Sequence, residues 1–129
     1  MANNQSYLKR LINSFGYAFN GIGIFFKETR NAKIHALAAV LAILMGWVFH
    51  ISKFEWLAII GCIAMVFVAE AFNSAIEYNV DLATQAKDPL AKKAKDVAAA
   101  AVLLASIAAL IIGLFIFLPR IQEGIRLIL

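Results

Sequence analysis

The chain has 129 residues, the length of one domain, read here as a single unit over 1–129. Hydrophobic residues make up 63% and charged residues 16%, where a soluble domain is about half apolar and a quarter charged, so a soluble globular protein is excluded. The formal net charge is +4, and the lone cysteine, Cys62, lies in an apolar run, which excludes an intrachain disulfide framework.

The start of the chain does not read as a secretory signal, because Lys9 and Arg10 precede Leu11-Ile12-Asn13-Ser14 rather than a continuous apolar core. From about residue 5 to 29 apolar residues recur at helical spacing, among them Leu8, Leu11, Ile12, Phe15, Phe19 and Ile22. The opposite face carries Lys9, Arg10, Asn13, Tyr17, Asn20 and Lys27, so the pattern predicts an amphipathic helix lying on the membrane surface. Gly16, Gly21 and Gly23 permit close backbone approach, and Asn20-Gly21 is a point where the helix can divide in two.

The first span is predicted over about 32–51, since roughly 20 apolar residues cross a bilayer. His35 and His50 fall near its ends, where polar residues are tolerated, and read as interfacial histidines ahead of metal ligands. Ser52-Lys53-Phe54-Glu55 is a short connection that makes the first two spans antiparallel neighbours. The second span is predicted over about 54–83, and a polar loop follows in which Asp88 is an N-cap with Pro89 at the first helical position. The third span is predicted over about 89–118, ending at Pro119, with a short amphipathic tail after it.

The second span carries the most informative stretch, Glu70-Ala71-Phe72-Asn73-Ser74-Ala75-Ile76-Glu77-Tyr78-Asn79-Val80-Asp81. No Pro or Gly interrupts a helix there, and at about 100° per residue Glu70, Asn73, Glu77 and Asp81 share one face. The ladder rises roughly 16 Å at about 1.5 Å per residue, from apolar surroundings to a wet end. Ionisable side chains at such depth face a protein interior or a watery cavity, and mark a site. Basic residues orient the chain: Lys9, Arg10, Lys27, Arg30, Lys33, Lys87, Lys92, Lys93 and Lys95 against Lys53, Arg120 and Arg126. Nine against three predicts a cytoplasmic N-terminus and second loop.

At that face lie Glu28, the acidic ladder and Lys95-Asp96. Carboxylates suit Mg²⁺, which keeps waters and binds substrate phosphates, while lysines suit phosphate as point charges. A carboxylate in apolar surroundings is desolvated, which favours a proton acceptor. Together they suggest phosphoryl transfer to a lipid hydroxyl. Plainer readings stand beside this one: Lys92 and Lys93 as topology determinants, Lys95-Asp96 as an interfacial ion pair, Glu28 as a solvated helix end, Asp81 as a cap. None of them explains Glu70 and Asn73 in an otherwise apolar run.

The pattern E-x-x-N-S-A-I-E-x-x-x-D from Glu70 to Asp81, followed by Pro89-Leu90-Ala91-Lys92-Lys93-Ala94-Lys95-Asp96 and Ala98 to Leu104, resembles the small bacterial integral-membrane lipid kinases, diacylglycerol kinase and undecaprenol kinase. The resemblance covers nearly the whole chain. It implies an all-α membrane protein with a surface helix and three transmembrane helices, a homotrimer in the bacterial inner (cytoplasmic) membrane. It also implies Mg-ATP as phosphoryl donor, a lipid alcohol as acceptor, and no nucleic-acid partner. By its motif Glu70 looks like the catalytic base, in contact with substrate, and Glu28 and Glu77 like the metal-binding carboxylates at the nucleotide. Tyr17, Asn73, Lys95 and Asp96 match positions around the nucleotide, and Arg10 matches a substrate-contact position. Many members carry a Tyr-His pair in the second loop where Lys87-Asp88 stands here, and the diacylglycerol-preferring branch has a second acid where this chain has Arg30 to His35. The first departure bears on the loop contacts to ATP; the second, with Lys92-Lys93 and Leu118-Pro119, favours undecaprenol over diacylglycerol. The stripe Ala101, Ala105, Ala109 permits close helix contact within or between protomers. Two rival readings are a small proton-coupled transporter and a non-catalytic membrane assembly subunit. A transporter has no use for Asn73, Glu77, Lys95 and Asp96 gathered at one interface, and an assembly subunit predicts little effect of Glu70→Gln beyond stability.

Overall fold

Four helices follow one another with short connections: α1 (Asn3–Glu28), α2 (Arg30–Val48), α3 (Lys53–Ala83) and α4 (Pro89–Arg126). The computed structural model describes residues 3–126, with side chains from residue 7, and no strand occurs among them. The last three helices are each long and apolar enough to cross a membrane. The expected architecture, an amphipathic helix followed by three spans, is therefore what the chain forms.

Two boundaries differ from the sequence reading. The helix of the first span runs from Arg30 to Val48, because the chain reverses immediately afterwards. Ile51 N–H donates to the Gly46 carbonyl (3.2 Å) and His50 N–H to the Trp47 carbonyl (3.3 Å), a paired closure of the helix end with His50 in the left-handed region (φ 50°). The His50 ring also meets the Trp47 carbonyl through Nδ1 at 2.7 Å, which ties that conformation to the helix end. Ser52 then caps α3 in a reciprocal box. Its hydroxyl accepts from Glu55 N–H, and the Glu55 carboxylate accepts from Ser52 N–H at 2.8 Å.

The second difference is at Pro119, which does not end α4; the helix continues to Arg126. Proline removes one N–H from the helical ladder, but tertiary contacts hold the next turn in place. The Arg120 guanidinium donates to the Ile116 carbonyl (2.5 Å) and to the Glu55 carboxylate (2.9 Å). The capping acid of α3 thus anchors α4 beyond its proline. The start of α4 is as expected: Asp88 Oδ1 accepts from Leu90 and Ala91 N–H at 2.7 and 3.0 Å.

The division of the surface helix at Asn20-Gly21 does not occur either. α1 is continuous, and the space beside Gly16, Gly21 and Gly23 is open, so these glycines serve no close approach within the chain. Phe25 and Phe26 hold its end against Phe67 of α3, with ring centroids 6.2 and 5.6 Å apart.

The most extensive helix contact is between α3 and α4, with α2 packed on α3. The buried apolar cluster is small and lies at the end of the bundle where α2 turns into α3: Ile51, Ile59, Ile116 and Phe117, flanked by Met45, Phe49 and Trp56. Most other large apolar side chains, Leu37, Trp47, Leu57 and Phe115 among them, are exposed on the helix surfaces. In a membrane chain that surface faces hydrocarbon or other helices. α3 has 31 residues, about 46 Å at about 1.5 Å per residue, against a hydrocarbon core of about 30 Å. The ladder from Glu70 to Asp81 occupies the C-terminal half of this helix.

Candidate active site

Glu70 is the largest fully buried side chain, 1% exposed, on the face of α3 that meets α2 and α4. Neither of its carboxylate oxygens has a hydrogen-bond partner among the described residues. Buried carboxylates are normally paired, because burying an unpaired one is costly. Asn73, one turn on and 6% exposed, donates from Nδ2 to Glu77 Oε1 (3.0 Å) and leaves its own Oδ1 unpaired. The amide therefore stands between the buried acid and the exposed one.

A cavity of about 270 Å³ opens in front of Glu70. Asn31 and His35 of α2, Glu70 and Asn73 of α3, and Val102 and Ser106 of α4 line it. The Ser106 hydroxyl is also buried without a partner. Four unpaired polar atoms, from Glu70, Asn73 and Ser106, thus belong to three residues around one small space. That is an arrangement for a ligand that carries hydrogen-bonding groups.

The junction of α1 and α2 is pinned over this cavity. Thr29 precedes α2 but does not cap it; its hydroxyl lies 3.2 Å from that of Ser74, which donates to the Glu70 carbonyl at 3.0 Å. This pair fixes the chain turn one helical turn from Glu70 and brings Glu28 over α3. There the hydroxyl of Tyr78, next in sequence to Glu77 on α3, donates to Glu28 Oε2 (3.2 Å). Glu28 is thereby brought to the stretch of α3 that carries Glu77. Among the described residues no group of three or more His, Cys, Asp or Glu side chains could hold a metal ion. Two carboxylates are nevertheless a fitting set for Mg²⁺, which takes its other ligands from water and substrate phosphate.

The remaining predicted residues lie elsewhere in the chain. Lys95 pairs with Asp81 (2.6 Å) and Asp96 with Lys92, so the two form separate ion pairs rather than one. The Lys95–Asp81 pair does fasten the start of α4 to the top of the acidic ladder. Tyr17 is 76% exposed on α1, and Arg10 is exposed one helical turn before Ser14, whose hydroxyl donates to the Arg10 carbonyl. In the second loop Asp88 is engaged in capping α4. The sequence reading missed Thr29, Ser74, Tyr78 and Ser106. Ser74 had a local signal, being four residues after Glu70 on the same face. Ser106 had only its isolation as a hydroxyl in an apolar run.

The chain is thus a multi-pass helical protein with a buried, unpaired acid at a polar cavity and two exposed carboxylates, Glu28 and Glu77, further along. The family model described as prokaryotic diacylglycerol kinase matches residues 16–117. The undecaprenol kinase of Bacillus subtilis is 41% identical over 92% of this chain and 96% of its own length. A diacylglycerol kinase of Synechocystis is 41% identical over 84% of this chain and 63% of its own length, and that of Escherichia coli K12 is 31% identical over 86% and 91%. The chain belongs to the prokaryotic diacylglycerol kinase family, and its class is that of a membrane lipid kinase.

Proposed function

We propose that the protein transfers the γ-phosphate of ATP to the hydroxyl of a lipid alcohol, with undecaprenol the favoured acceptor and diacylglycerol the next. The observation that carries this reading is the Glu70 carboxylate, 1% exposed and unpaired in front of a polar cavity. Glu70 accepts the proton of the acceptor hydroxyl while that oxygen forms its bond to the γ-phosphorus. The bond from the γ-phosphorus to the β–γ bridging oxygen breaks, and ADP leaves with the bridging oxygen. Asn73, held by Glu77, offers its unpaired Oδ1 toward the same space and orients the acceptor. Glu28 and Glu77 would hold Mg²⁺, whose charge offsets that of the β- and γ-phosphates. Lys95, Asp96, Tyr17 and Arg10 are assigned to nucleotide and substrate by resemblance alone. A homotrimer in the inner membrane with a cytoplasmic N-terminus completes the proposal. The identity to the Bacillus enzyme over nearly its whole length supports undecaprenol.

The test is turnover of purified protein with Mg-ATP and, separately, undecaprenol, diacylglycerol and a water-soluble alcohol. General-base help is worth about 10² to 10⁴ in rate. Glu70→Gln keeps size and polarity but cannot take the proton, so turnover should fall by about that factor while ATP binding persists. Near-normal turnover in Glu70→Gln would remove Glu70 from the chemistry.

A further inference from the structure

A second, larger cleft of about 510 Å³ runs between α2, α3 and α4. Small residues on the helices leave it open, among them Ala38, Ala42, Cys62, Ala109 and Gly113, and Phe117 lies toward its far end. Its lining is almost wholly apolar. It shares two residues, His35 and Ser106, with the polar cavity in front of Glu70. From His35 to Met45 on α2 and from Ser106 to Ile121 on α4 the cleft extends about 15 to 22 Å along the helices. Its ends differ in chemistry: one meets three residues with unpaired buried polar atoms, and the other closes on aromatic and aliphatic side chains.

We propose that this cleft receives one hydrocarbon chain of the acceptor inside the protomer, and that His35 and Ser106 form the throat through which the hydroxyl end reaches Glu70. The proposal rests on the lipid-kinase reading and adds to it where the chain lies and how much of it the protomer holds. The adjacency of the two spaces, which share His35 and Ser106 in their linings, names the occupant. A molecule filling both must carry a hydrogen-bonding head small enough for about 270 Å³ and an apolar chain long enough for the cleft. A single cleft suits one chain, as in a polyprenol, better than the paired chains of a diacylglycerol. Each further buried methylene should improve apparent affinity about fourfold until the cleft is full, and longer chains should gain nothing.

Gly113 is the lever for a test. It lines the cleft, and a Cβ added there meets nothing within 4 Å, so a larger side chain would project into open space rather than against backbone. It lies seven residues, or about 10 Å, beyond Ser106 along α4, out of reach of a one-isoprene alcohol whose hydroxyl is at Glu70. Phosphorylation of farnesol and of prenol by wild type and Gly113→Leu is compared. The expected result is a rise of at least tenfold in the KM for farnesol relative to that for prenol. Wild-type protein is also photolabelled with a farnesol analogue carrying a diazirine at the end remote from the hydroxyl. The label should fall on α4 beyond Gly113 or on the facing residues of α2.

An unchanged farnesol-to-prenol ratio in Gly113→Leu, or labelling confined to α1, overturns the proposal while leaving the kinase reading intact. A smaller particle in detergent with an unchanged ratio would assign the cleft to contact between copies and equally overturn it. Wild-type protein inactive on every lipid alcohol would overturn the kinase reading itself. Labelling along the cleft by the analogue would then still show a chain-binding site. If Gly113→Leu fails to fold, the labelling of wild type alone decides.

Discussion

At the scale of single residues, the site is built by pairing most polar groups and leaving a few unused. Ser74 donates to the Glu70 carbonyl and meets Thr29, Asn73 holds Glu77, and Tyr78 holds Glu28. The exceptions are Glu70, the Asn73 carbonyl oxygen and Ser106, and they face one cavity. Since unsatisfied buried groups cost stability, their concentration at one place points to a ligand that completes them. Glu28 and Glu77 are half engaged: each has one oxygen occupied by Tyr78 or Asn73. The proposed Mg²⁺ site predicts that Glu28→Gln and Glu77→Gln each weaken the Mg²⁺-dependent binding of a non-hydrolysable ATP analogue, measured calorimetrically. The same variants should leave helix content and detergent-solubilised size unchanged. Equal Mg²⁺ dependence in wild type and both variants would withdraw both carboxylates from the metal.

At the scale of elements, the turn between α2 and α3 sets the depth of everything on α3. Gly46 is required by packing rather than by backbone freedom, because a Cβ there would lie 2.8 Å from the Trp56 ring and 3.1 Å from Ile51. Gly61, inside α3, has open space around it. The two glycines therefore predict opposite effects of alanine. Gly46→Ala forces Trp56 aside at a cost of about 1–3 kcal/mol, typical of overpacking, and should lower the thermal midpoint in detergent. Gly61→Ala removes backbone freedom from the unfolded chain and should raise stability by about 0.5–1 kcal/mol. A Gly46→Ala protein as stable as wild type would show that Trp56 is free to move. The Glu55–Arg120 contact belongs to this scale too, since it joins the cap of α3 to the turn of α4 beyond Pro119.

At the scale of the molecule, three spans bury little of their own apolar surface, and the small core sits at the end away from Glu70. Such a chain depends on lipid and on other helices for the rest, in keeping with the proposed trimer. The proposed orientation follows from nine basic residues against three and has a direct test. Lys53 and Gln85 are both exposed, at opposite ends of α3, and neither takes part in the Ser52–Glu55 capping box. In a Cys62→Ala background, an impermeant thiol reagent added to intact cells should label Lys53→Cys and miss Gln85→Cys. The reverse pattern would put the acidic ladder outside the cell, away from ATP.

Helix existence, span number and the acidic face of α3 were legible in the sequence, because they depend on period and composition, which are local properties. Glu70, Asn73 and Glu77 share a face by geometry alone, and their motif carried the family. The sequence reading failed where distant residues decide. Pro119 is a helix breaker by itself, yet α4 passes through it, because Glu55, far away in sequence, holds Arg120. Asn20-Gly21 is a break by composition, yet α1 stays whole. Lys95 and Asp96, adjacent in sequence, turn to different partners because successive helical residues lie about 100° apart. The emptiness around Glu70, and the cleft that meets it at His35 and Ser106, exist only once three helices are set side by side. A sequence states which side chains are small; only packing decides whether the space they leave is closed or open.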